Sequence, residues 1–156
     1  MTDETPAPAF DPDEFMARYR AYQARAAELH AGNKATVLAV LRDAGISKVT
    51  VTFNGYGDSG QIDSIAVKAG DTDTELPDSA VEIARASLDS EAPERLSEPL
   101  ADAIETLCYA LLEEKHDGWE NNEGAYGEFV FDVAADRIVL DFNYRIENSE
   151  NHTHEI

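Results

Sequence analysis

At Ile46 the hydrophobic period of this chain changes from that of a helix to that of a strand, and the same change recurs in its second half. Before Ile46, Phe15, Tyr19, Tyr22, Ala26 and Leu29 recur at spacings of three and four, which gathers them on one helical face. Asp11 precedes Pro12, Asp13 and Glu14, a helix start in which Asp11 caps free N–H groups and the acids meet the positive end of the dipole. Gly32-Asn33 predicts a kink or break, Val37, Leu38, Val40 and Leu41 resume the stripe, and Gly45 supplies a stop. After Ile46, Val49, Val51 and Phe53 alternate with Thr50 and Thr52, the pattern of a half-buried strand.

A return strand follows through Ile62, Ile65 and Val67, with the alternation slipping near Ser64, so a bulged hairpin is expected. Gly70 to Pro77 reads as acidic loop, Val81 and Ile83 as a short third strand, and 89–98 as acidic and proline-broken. A second helix is predicted from about Ser97 to His116, with Leu100, Ile104, Leu107, Cys108 and Leu111 as its buried stripe. Phe129, Phe131 and Val133 then alternate inward, Ala134 to Arg137 turns, and Ile138, Leu140, Phe142, Tyr144 and Ile146 return. Tight turns force antiparallel pairing. The expected fold is therefore α+β: an antiparallel sheet of four to five strands from two hairpins, with two main helices packed on one face. Residues 1–10 read as a disordered acidic lead, 11–147 as a single domain and 148–156 as a polar tail.

Charge narrows the partners. Thirty-two Asp and Glu against twelve Lys and Arg give a formal net charge of -20. A body this negative repels phosphate backbones and anionic membranes, so direct binding to nucleic acid or lipid is disfavoured. Basic protein surfaces and cations are attracted; acidity serving solubility alone is the plainer reading. No apolar run approaches the ~18 residues of a membrane span. The acidic start lacks the basic and apolar regions of a signal peptide, and the single cysteine, Cys108, forms no internal disulfide, so a cytoplasmic setting is expected.

No catalytic constellation is complete. Gly55-Tyr56-Gly57-Asp58-Ser59-Gly60 spells the dinucleotide fingerprint, but a strand pattern follows where the pyrophosphate needs a helix N-terminus. Gly57-Asp58-Ser59-Gly60 resembles the nucleophile segment of trypsin-like serine proteases, and the likeness ends at Gln61. Asp71, Asp73, Glu75 and Glu82 have calcium-loop spacing, with Leu76 where the turn needs glycine. His152 and His154 make half a zinc site at most, and His30 and His116 have no third ligand at a diagnostic spacing. Cys108 sits on the helix stripe as a core filler. No cofactor, metal or catalytic residue is expected.

The loop from Trp119 to Glu128 gathers a Trp, a Tyr, three acids and two asparagines between helix and strand. Loops on rigid scaffolds carry recognition, and Trp and Tyr anchor interfaces, although Trp119 serves equally well as a cover over the end of the core. Tyr56, Asp58, Trp119, Glu120, Glu123, Tyr126 and Glu128 are thus the candidate partner-binding residues.

The segments Val51 to Ile62, Leu107-Cys108-Tyr109 and Trp119 to Phe129 resemble those of a bacterial family of unknown function, with the likeness running from about Asn33 to the end. The resemblance implies a setting on plasmids, integrative elements and prophages, and no activity. With that setting, the charge points to a non-enzymatic protein that docks onto a basic, nucleic-acid-binding host protein, as a counter-defence inhibitor mimicking nucleic-acid charge. The alternative is a metal or small-ligand site, or an enzyme, built from Asp58, Ser59, Glu120, Glu123 and Glu128 where the two glycine-rich loops converge.

Overall fold

The structure, a computed structural model, describes residues 11–56, 59–88, 90–121, 123–147 and 149–156. The lead read over 1–10 and the candidate contact Asp58 lie outside them. Helix α1 runs from Pro12 to Asp43, and Asp11 accepts the Asp13 N–H at 3.0 Å. Gly45, at φ 77°, donates to the Arg42 carbonyl while Ile46 reaches back to Leu41, so the last carbonyls of α1 are satisfied in a Schellman turn.

The kink expected at Gly32-Asn33 is absent, because Asn33 has another employment. Its amide donates to the Ala84 carbonyl at 2.7 Å and accepts the Ala84 N–H at 2.8 Å. One side chain thereby pairs a whole peptide unit of a strand edge, and the helix runs on unbroken. About two turns earlier, Arg25 donates to the Ser87 carbonyl at 2.9 Å.

Strands β1 (Lys48–Tyr56), β2 (Ser59–Ala69), β3 (Thr72–Thr74), β6 (Ala125–Asp132) and β7 (Arg137–Tyr144) form an antiparallel sheet in the order β3-β2-β1-β6-β7. Strands β4 (Ala80–Arg85) and β5 (Glu94–Pro99) form a separate antiparallel pair, and helix α2 (Leu100–Lys115) follows directly. The fold is α+β, with both hairpins as expected. The slip near Ser64 is a bulge: Thr52 pairs with Ser64 and Phe53 with Ile62, leaving Asp63 over.

Two readings need correcting. The segment 89–98, taken as broken loop, contains β5, because its prolines lie outside the strand's interior: Pro93 precedes it and Pro99 ends it. The third strand at Val81 and Ile83 does not join the main sheet. It pairs with β5 and buries both side chains towards the helices. The short β3 also appears within the expected acidic loop.

One buried cluster joins Val37, Leu38 and Leu41 of α1, Leu100, Ile104, Leu107 and Leu112 of α2, and Val49, Val51, Phe53, Phe129 and Phe131 of the sheet. The other sheet face is open. There Lys68, Lys48, Asp132 and Arg137 lie side by side across four strands, with Ser64, Thr52, Glu128 and Asp141 as a second row. Among the described residues no helix is long and apolar enough to cross a membrane. Residues 149–156 are exposed and carry no helix or strand.

Candidate binding surface at the acidic end of the fold

The two glycine-bearing loops meet, and Trp119 is where they do so. Its indole is 6% exposed and stands edge-on to Phe53, with centroids 5.5 Å apart. A Cβ on Gly55 would lie 2.7 Å from the indole, and one on Gly60 would also strike it. Gly124, at φ 84°, lies so close to the Gly55 carbonyl that a side chain there would collide with it. Gly55 and Gly60, which mimic part of a dinucleotide fingerprint, therefore make room for a tryptophan from another loop. Trp119 thus covers the end of the core, largely buried beneath the two loops.

Aromatic contacts fix this end of the molecule. His116 stacks on Phe142 at 3.7 Å and hydrogen-bonds Tyr144 at 3.2 Å. Phe142 in turn stacks with Phe53 at 5.9 Å. The C-terminus of α2 is thus tied to β7, and the loop that follows leaves it at a fixed place. Tyr109, earlier on α2, accepts the Ile62 N–H at the bulge of β2 at 2.9 Å.

On this frame the acids gather. From Glu113 to Glu123 the chain carries Glu113, Glu114, Asp117, Glu120 and Glu123, with Lys115 the one Lys or Arg among them. Glu114 pairs with His30 at 2.6 Å. Among the described residues no Lys, Arg or His lies within ion-pair distance of Glu113, Asp117, Glu120 or Glu123, whereas Arg42, Arg85 and Arg95 each hold a carboxylate elsewhere. The negative end of the α2 dipole points the same way. A cavity of about 290 Å³ opens here, lined by Gly60, Tyr109, Glu113, Asp117, Gly118, Trp119 and Glu120. Tyr109, Glu113 and Asp117 also line a larger groove of about 1060 Å³ between α1, α2 and β4, so the two concavities are continuous.

The six candidate contacts among the described residues are divided by this geometry. Glu120 lines the cavity and Glu123 is exposed on the loop beside it. Tyr126 (45% exposed) and Glu128 lie on the open sheet face, where the Arg145 guanidinium sits 4.8 Å over the Tyr126 ring and donates to Asn54 at 2.6 Å. Tyr56 projects at the end of β1, 72% exposed. Tyr109, Glu113 and Asp117 were not singled out from the sequence. Their spacing of four residues, which places Tyr109 and Glu113 along one side of α2 and Asp117 just past its end, is the signal that marks them. Among the described residues no three His, Cys, Asp or Glu side chains converge as a metal site; His152 pairs only with Glu150, at 3.2 Å. Cys108 lies inside α2's core face, where burial and then the nearby Glu105 push its thiol well above the ordinary range. It is a packed apolar group and not a nucleophile.

Residues 29–156 match the model of a family of unknown function, DUF6878. The chain belongs to that family. No curated protein and no solved structure matches it. The matched range holds the whole 290 Å³ cavity and all the unpaired acids around it, and begins within α1, past the Tyr19–Ala27 wall of the groove.

Proposed function

We propose that this protein is a non-enzymatic binding protein that docks its acidic concave end onto a basic protein surface. One observation carries the reading: Glu113, Asp117 and Glu120 border a concavity and have no cation among the described residues within ion-pair distance. Carboxylates left without partners on a rigid frame are free to take Arg and Lys from outside, and Arg-carboxylate pairs add direction as well as attraction. The open sheet face, where both signs are mixed, supports no such role.

The partner is a basic, nucleic-acid-binding protein of the host cell, and the carboxylates occupy places that phosphates otherwise take. A counter-defence inhibitor carried on a mobile element has this chemistry. The test is capture on immobilised protein at low and high salt, followed by a challenge with DNA. A basic protein retained at low salt, released at high salt and displaced by DNA is expected. Retention indifferent to both salt and DNA would refute the proposal.

The 290 Å³ cavity favours one alternative, a small organic cation held by the same carboxylates beside Tyr109. Calorimetric titration with spermidine separates the two. Saturable binding at one site supports the alternative, and weak, salt-suppressed heats without saturation dispose of it.

A further inference from the structure

The groove that runs on from the cavity indicates the shape of the partner as well as its charge. Its sides are the middle of α1 and α2 from Ala103 to Glu114, and β4 crosses its base. The base is apolar and shallow-sided because its residues are small: Ala26, Ala27, Ala84, Ala86 and Ala110, with Ile83. Tyr19 and Tyr22, which stack at 6.0 Å, line the groove together with Leu88, Glu113 and Asp117. The groove's residues on α1 run from Tyr19 to Asn33, which at the helical rise is about 21 Å.

We infer that this groove takes the apolar face of one amphipathic, cationic α-helix of a partner protein, about 14 residues long. The inference rests on the reading above and names the form of its partner. Three observations select the occupant. The free edge of β4 does not offer its backbone at Ala84, since Asn33 already holds both the N–H and the C=O, so an added strand gains nothing there. Small side chains let a helix backbone approach closely, and the size of the groove calls for a segment and not a side chain. The third is charge. A second copy would bring another -20 against the same unpaired acids, which opposes self-association; a helix with Lys or Arg over Glu113 and Asp117 is drawn in. Arg85 also lines the groove but is already paired with Glu94 at 3.0 Å. The partner's cations belong over Glu113 and Asp117 and its apolar residues against the alanines, Tyr19 and Tyr22.

The probe is a fluorescein-labelled helical peptide of leucine and lysine, with a leucine stripe and its lysines grouped at one end. Its anisotropy is titrated with the full chain. Saturable binding is expected, weakened about tenfold by Ala27→Trp, which fills the groove, and by the pair Glu113→Gln and Asp117→Asn. Glu128→Gln on the open face changes nothing. Ala24→Trp, on the exposed lip of the same groove, repeats the test should Ala27→Trp fail to fold. If filling the groove leaves affinity unchanged while Glu113→Gln and Asp117→Asn weaken it, the groove inference fails and the electrostatic reading stands. If the peptide binds no better than its leucine-glutamate counterpart, both fail. A dimer in sedimentation that Ala27→Trp dissociates identifies a second copy as occupant and also overturns the inference.

Discussion

Trp119 carries more of the structure than any other side chain in the loops, because two glycines and an aromatic ring are shaped around it. Adding one methyl group at Gly60 forces the indole to move, and overpacking of this kind costs about 1–3 kcal/mol. Gly60→Ala is therefore expected to lower stability by that order in urea unfolding, and to shift the emission of the single tryptophan to the red as the indole leaves its slot. An unchanged spectrum would show that the loop adapts freely. Cys108 gives a second prediction. Its folded thiol is raised above its unfolded value, so the stability tied to its neutral form is complete below pH ~8.5, where the unfolded thiol begins to ionise. Above that, stability is lost by up to about 1.4 kcal/mol per pH unit until the folded thiol ionises too. The stability difference between wild type and Cys108→Ala should therefore shrink from pH 7 to pH 10; a constant difference would contradict the assignment.

Among the elements, α1 depends on a contact that periodicity does not reveal. Asn33→Ala would leave the Ala84 N–H and C=O without their partner at the α1–β4 seam. Such loss costs about 1–3 kcal/mol, and amide exchange at Ala84 should quicken more than in β1 or β6. The ends of α1, the bulge at Asp63 and both hairpins were legible because capping, alternation and its slippage are local signals. The separate β4–β5 pair was not. Charges at Glu94, Arg95 and Glu98 hide a strand whose outer face is wet, and which sheet a short strand joins is decided by tertiary packing. Gly32-Asn33 misled for a similar reason: a breaker by propensity became a tether because a strand edge lay opposite. At the candidate site, the acids of the Trp119 loop were legible by composition, whereas Tyr109, Glu113 and Asp117 gain their meaning only when α2 is set against β2 and α1.

The molecule as a whole distributes its charge unevenly, and that is what turns acidity into a surface. Cations are spent on the open sheet face and on β4–β5, where Lys48, Lys68, Arg85, Arg95 and Arg137 sit among carboxylates. Among the described residues, the end built by α2 and its loop leaves Glu113, Asp117 and Glu120 without a cation around the two concavities, while Glu114 takes His30. The most direct test compares the wild type with the triple variant Glu113→Gln, Asp117→Asn, Glu120→Gln in capture of the same partner at low salt. The open-face pair Glu128→Gln, Asp141→Asn serves as control. Loss of the partner from the triple variant, with full retention by the control, is the result expected; equal retention by all three proteins would contradict the account.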